Sequence, residues 1–372
     1  MNFKINKREL LDALNMAVRA ISTTTPLPAL AGIKFEVSHD SITLISSDSN
    51  ISIKTILTNE EGKEVFSVAE SGDIVIDSRY ILEIVRKIDS AQINVETIDG
   101  TLIRISGGNS EFKINGMSAD EYPNINFDIN AETFNFETDK FFTIIDQTAF
   151  ACSDKDTRPI LTGVNFKAEN GKLYVNATDS YRLASKVVDV DEGLNFNITI
   201  PSTYLSDVYH SLSLEKEIGI AIDNQKISFI FENSLIQTRL LDDVFPDTSK
   251  LIPTSFLQKV CVKSKDLLNA IDRTSFIKSD GKNIVRLSIS AEEIDITSSN
   301  QMGSSYENIS VTSFEGEPFD ISCSGKYLTD AIKAVGGEDI SLSFSGELKP
   351  FIVTNTADDS IVQLISPVRT YR

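Results

Sequence analysis

The chain has 372 residues, enough for two or three domains that each bury a core. Hydrophobic residues at 41% and charged residues at 24% place it with ordinary soluble globular chains, and no apolar run approaches the roughly 18 residues of a membrane-spanning helix. The net charge of −19 argues against a protein that simply coats nucleic acid, though not against one whose basic residues all face one way.

In chain order, Leu10, Leu11, Leu14, Val18 and Ile21 recur at helical spacing and predict a helix over 7–22. Alternating strands follow from residue 31. A helix over 78–88 is entered at Ser78 as N-cap, and "DG" at 99–100 and "GG" at 107–108 mark hairpins. The order then recurs. A helix over 139–153 leads to strands turning at the "NG" of 170–171, then a helix over 202–212 behind Ser202. A third pass gives helices over 264–276 and 324–335, the latter ended by "GG" at 336–337. Prolines close each pass: Pro123 in "DEYPNI", Pro246 in "DVFPDT" and Pro367 in "ISPVRT".

The recurrence is a repeat. "AGIKFEVSHDSITLISSDS" (31–49) lies over "TGVNFKAENGKLYVNATDS" (162–180) without a gap, matching Gly32 to Gly163, Phe35 to Phe166 and Asp48-Ser49 to Asp179-Ser180. The weaker third copy, "IVRLSISAEEIDITSSN" (284–300), puts Asn300 where the aspartates stood. Tyr80, Tyr204 and Tyr327 open the second helix of each copy. A period of roughly 120 residues is far too long for a solenoid unit, so each copy is a domain. The expected boundaries are 1–124, 127–250 and 251–372, and the class is α+β, with two helices per copy on one face of antiparallel sheet.

Catalytic chemistry finds little support. "ATDSYRLA" (177–184) packs Thr178, Asp179, Ser180, Tyr181 and Arg182 together, but no histidine or lysine stands by as a base. His39 and His210 lie far from any nucleophile motif, and no phosphate-binding loop occurs. Asp242-Asp243 and Asp358-Asp359 read as solvated loop carboxylates. Cys152, Cys261 and Cys323 form no metal or disulfide spacing, which fits a reducing cytoplasm, and "MNFKINKREL" lacks a signal peptide's apolar centre. No cofactor is expected.

Charge is unevenly spread. The six predicted helices hold eleven Lys and Arg against nine Asp and Glu, so the excess of acid lies entirely elsewhere. Arg79 and Arg86 share one helical face while Ile81, Leu82, Val85 and Ile88 fill the other. One helix-lined surface then suits a polyanion that the remainder repels.

"ATDSYRLA", "LTG" (161–163), "DDVFPD" (242–247) and "SPVR" (366–369), in this order, resemble the bacterial DNA polymerase III beta subunit family, the sliding clamps, and the likeness runs end to end. It implies a homodimer closed head to tail into a ring of six domains with helices inside. That ring encircles duplex DNA and tethers the replicative polymerase, the clamp loader and other proteins carrying short clamp-binding peptides, without catalysis or a membrane. Geometry agrees: six helices about 10 Å wide leave a bore of roughly 9 Å and twelve leave roughly 28 Å. A duplex is roughly 20 Å across. One chain is too small, and two suffice.

The resemblance further implies a partner-peptide pocket of Leu161, Thr178, Tyr181, Arg182, Leu183, Pro246, Leu251, Leu364, Ser366, Pro367, Val368 and Arg369, with Thr178 and Arg182 orienting the peptide backbone. Ser366 and Val368 stand where the family often has methionine, and the tail runs on through Thr370-Tyr371-Arg372. Phe112 and Ile114 of one chain are expected opposite Phe276 and Ile277 of the other. Arg79, Lys155 and Arg158 match family positions near DNA, and the helix cations Arg19, Arg86 and Lys333 are expected to join them. Thr24 stands where the family often has arginine, and the fourth helix carries no Lys or Arg, so DNA contact is expected to be weak and non-specific. The rival readings are a hydrolase using the 177–184 loop and a repeated scaffold that never meets DNA.

Overall fold

The computed structural model describes residues 1–22, 25–62, 64–212, 216–223, 225–278 and 281–369. Thr24 and the tail 370–372 lie outside the described residues. Six α-helices stand among them, two per repeat: α1 (Lys7–Ala17), α2 (Ser78–Lys87), α3 (Thr138–Thr148), α4 (Ser202–Ser211), α5 (Ser264–Thr274) and α6 (Gly325–Val335). The predicted 7–22 and 139–153 overrun because single 3₁₀ turns, Val18–Ala20 and Ala149–Ala151, finish those segments. One capping expectation is corrected. Asp77, not Ser78, caps α2 by accepting from the Arg79 N–H, while the Ser78 hydroxyl donates to the Ala31 carbonyl. Gly336 ends α6 at φ +59° and ψ −167°, an extended positive-φ conformation open to glycine rather than the left-handed helical cap expected.

Every strand pair among the described residues is antiparallel, and the chain packs as two compact units: residues 1–140 with 204–240, and 141–203 with 241–372. The first holds a sheet in the order Thr133–Glu137, Glu217–Ile222, Lys226–Phe231, Ser234–Arg239, Ile51–Thr58, Ser41–Ser47, Gly32–Val37, Gly72–Asp77. A smaller sheet in that unit ends on Ser110–Asn115. The second unit has the order Phe196–Pro201, Gly163–Glu169, Lys172–Thr178, Arg182–Asp189, Ile361–Ile365, Phe351–Asn355, Asp339–Phe344, Gln258–Lys263, Ser313–Glu315. Its smaller sheet ends on Gly303–Ser310.

Both large sheets run across a repeat boundary. Ile51–Thr58 of the first copy pairs with Ser234–Arg239 of the second, and Arg182–Asp189 of the second with Ile361–Ile365 of the third. The alternating pattern that predicted strands is the one that buries them. Ile33, Phe35 and Val37 face the same core as Leu10 and Leu14 of α1 and Ile81 and Val85 of α2. In the third copy Leu267, Ile271, Leu328 and Ile332 of α5 and α6 share a core with Phe344 and Phe351. No helix among the described residues is long and apolar enough to cross a membrane.

Candidate functional site

The turn at 178–182 shows what the "TDSYR" side chains do. Asp179 Oδ1 accepts from the N–H groups of Tyr181 (2.9 Å) and Arg182 (3.0 Å), and Thr178 Oγ1 donates to the Arg182 carbonyl at 2.6 Å. Ser180 sits at φ +78°. The first repeat builds the same turn, with Asp48 Oδ1 accepting from Asn50 and Ile51, Ser47 Oγ donating to the Ile51 carbonyl, and Ser49 at φ +81°. In the third, Asn300 Oδ1 accepts from Met302 and Gly303. This motif shapes a backbone turn three times over.

Arg182 is 7% exposed and fully engaged. Nε donates to Asp179 Oδ2 at 3.0 Å, Nη1 to Asp330 Oδ2 at 2.7 Å and Nη2 to the Phe150 carbonyl at 2.5 Å. The rings of Phe150 and Tyr327 flank the guanidinium at 5.2 and 4.4 Å. Each guanidinium nitrogen, like the Thr178 hydroxyl, thus donates within its own chain. Burial and the neighbouring Asp179 carboxylate raise the Tyr327 hydroxyl.

Beside this turn lies an apolar row. Leu183 pairs with Leu364, and Leu364 with Ile352, so their side chains share one sheet face, with Ile252 and Val362 packed against them. Ile252, Ile352 and Val362 escaped the sequence reading. For Ile352 and Val362 the only signal was strand register, which needs the pairing partner to be known; Ile252 lies outside any strand. The C-terminal segment is tied down by its backbone: the Ser366 N–H donates to the Tyr181 carbonyl at 2.8 Å, and the Val368 N–H to the Ser322 carbonyl at 2.7 Å. Pro367 is half-buried and Arg369 exposed. Leu161 is buried in the 3₁₀ turn Pro159–Thr162, Pro246 is half-buried, and Tyr181 and Leu251 are exposed. The structure thus joins Tyr181, Leu183, Leu364 and Ser366 directly.

One loop carboxylate is corrected. Asp358 is not merely solvated: it meets the buried Lys186 ammonium at 3.2 Å, and Lys186 also donates to Ser360 Oγ at 2.7 Å. The Ser360 hydroxyl and this ammonium hold Asp358 below the ordinary carboxylate range.

The expected DNA-facing cations differ in setting. Lys155, Arg158 and Lys333 are exposed. Lys333 lines a cavity of about 430 Å³ with Thr143, Asp146, Phe150 and Asp330. Arg79 is paired with Asp77 at 2.9 Å, and Arg86 with Glu83 at 3.3 Å and Asn15 at 3.1 Å. Arg19 is half-buried, with its charge near enough to Asp207 to favour that carboxylate. Of the expected interface residues, Phe276 is 76% exposed, Phe112 is exposed and Ile114 half-buried. Ile277, at 6%, belongs to its own chain's interior.

Three sequence profiles match in succession: the N-terminal domain of the DNA polymerase III beta subunit over residues 1–126, its central domain over 135–247 and its C-terminal domain over 249–369. The chain is 39% identical to the beta sliding clamp of Bacillus subtilis strain 168 and 34% identical to that of Staphylococcus epidermidis, covering all of both chains in each case. The crystal structure of the Bacillus subtilis DNA polymerase sliding clamp superposes with a TM-score of 0.95 over all of both chains. The beta chain of DNA polymerase III from Streptococcus pneumoniae, 30% identical, does so at 0.95 over 99% of this chain and all of that one. On this evidence the chain belongs to the DNA polymerase III beta subunit family, the beta sliding clamps.

Proposed function

We infer that the chain is a sliding clamp. Two copies close head to tail around duplex DNA and tether the replicative polymerase, the clamp loader and other proteins bearing short clamp-binding peptides, without catalysis of their own. The observation that carries this is family likeness over the whole chain, in three consecutive domains. We assign those domains to 1–124, 127–250 and 251–372 and the protein to the cytoplasm. The partner pocket centres on Leu183, Leu364, Tyr181, Leu251 and the segment Ser366–Arg369, with Leu161 and Pro246 as further wall. Arg182 and Thr178 act as its frame, because their polar groups already hold the turn. Lys155, Arg158 and Lys333 are the cations left to meet phosphates, assisted by Arg79 and Arg86 once these exchange their carboxylates.

The test is topological. With a clamp loader and ATP, the protein should load onto nicked circular duplex, stay there at high salt, and leave once the circle is linearised. Retention on linear DNA would mean ordinary electrostatic binding. Failure to be retained on circles would overturn the clamp reading.

A further inference from the structure

The turn built around Asp48, Asp179 and Asn300 belongs to a larger set that recurs with the repeat. The second helix of each copy has a tyrosine at its third residue and an acid at its sixth: Tyr80 and Glu83 in α2, Tyr204 and Asp207 in α4, Tyr327 and Asp330 in α6. Arg19, Phe150 and Phe276 stand at one shared position just beyond the first helices, α1, α3 and α5. Ile51, Arg182 and Gly303 share another, three residues after the turn's Asp or Asn.

Two of the sets are assembled. Tyr204 faces Asp48 and Asn50, and Asp207 faces Arg19 and Asp48. Tyr327 bonds Asp179 while Arg182 joins Asp179, Asp330 and Phe150. Each therefore holds two carboxylates, one tyrosine and one arginine, although the arginine comes from a different position in each.

The third set is divided between the chain's first and last repeats, and it stands open. Tyr80 is 59% exposed and Phe276 76%, Glu83 is exposed, and Asn300 is half-buried. Its chemistry also differs. Phenylalanine and glycine occupy both positions that supply arginine elsewhere, and Asn300 replaces a carboxylate, its amide donating to the Lys278 carbonyl at 2.9 Å. Glu83 is neutralised on its own helix by Arg86 and Lys87.

We propose that Tyr80 of one chain packs on Phe276 of a second copy, making a neutral, aromatic version of the junction that the other two sets close with charge. This rests on the dimer reading given above. The physical logic is desolvation. A charge cluster exposed in a free chain is hydrated and must shed that water on association, whereas two exposed rings gain from leaving water. Gly303, at the position of the guanidinium that separates Tyr327 from Phe150, leaves room for the rings to meet directly.

The dimer dissociation constant, measured by sedimentation over a dilution series, tests this for the natural chain, Tyr80→Ala, Phe276→Ala and the double variant. Each single change should weaken the dimer about tenfold, the double by little more, and added salt should not loosen the natural dimer. Both side chains are exposed in the free chain, so monomer melting temperatures should stay put. An unchanged constant for Tyr80→Ala, or effects that multiply in full, would overturn the contact while leaving the dimer intact. A chain that is monomeric at every concentration would overturn the dimer reading and the contact with it.

Discussion

Taking away the Arg182 guanidinium leaves Asp179 and Asp330 turned towards an emptied space between two rings. Arg182→Ala should therefore lower the unfolding free energy in urea by about 3–5 kcal/mol, the usual result of breaking a buried ion pair from one side. Arg182→Lys should recover little, since one ammonium cannot serve three acceptors set around a planar fork. A loss near zero would mean the network is incidental. Asp207 works in the opposite sense. Burial, reinforced by Asp48, raises its carboxyl above the usual value despite Arg19. The folded state thus holds this proton more tightly than the unfolded chain does, and its ionised form is the disfavoured one. Asp207→Asn should raise the melting temperature at pH 7, and the gain should fade as pH falls through about 4, where the unfolded aspartate is itself protonated. None of this was legible in the one-dimensional string. "TDSYR" announced polar side chains, but that its arginine bonds an aspartate 148 residues away depends on the fold.

Helices, strands and their threefold recurrence were legible, because period and turn residues are local properties. Sheet continuity across repeats was not, since edge pairing is decided by which copy lies alongside. It nonetheless makes a numerical prediction. Thr238 opposes Ile51 and Ser234 opposes Thr55, just as Ile365 opposes Arg182 and Ile361 opposes Lys186. The remaining members of this series, Ser110–Asn115 and Gly303–Ser310, each end a sheet with one edge open. Carrying the register over puts Ile114 opposite Gly303, Phe112 opposite Ser305 and Ser110 opposite Glu307 of a second copy. These are non-hydrogen-bonded sites, about 4.5 Å between Cα atoms and within disulfide range. Ser110→Cys with Glu307→Cys should give a covalent dimer on a non-reducing gel after mild oxidation. Ser110→Cys with Gly303→Cys, four residues out of register, should not. Cross-linking of the second pair instead would refute the register.

For the molecule as a whole, association and partner capture should separate cleanly. The natural chain should size at twice 41.0 kDa. Phe276→Asp should give a folded monomer, because the side chain is already in water in the free chain; adding Ile277→Asp would injure the interior and confuse the readout. Leu251→Glu, at a position 52% exposed, should abolish binding of a short partner peptide in a fluorescence titration while leaving size and melting unchanged. Leu183, at 1%, is a poorer site for that experiment, since a lysine there would break the sheet's packing. Unchanged peptide affinity for Leu251→Glu would remove that residue from the pocket. The backbone bonds between Ile51–Thr58 and Ser234–Arg239 carry a further consequence, for dissection of the gene. A fragment ending near residue 126 would bare an eight-residue edge whose alternate side chains, Ile51, Ile53, Thr55 and Leu57, are buried in the whole chain. Such an edge templates self-pairing. Single repeats expressed alone should therefore precipitate or polymerise, and the smallest tractable piece of this protein is the entire chain.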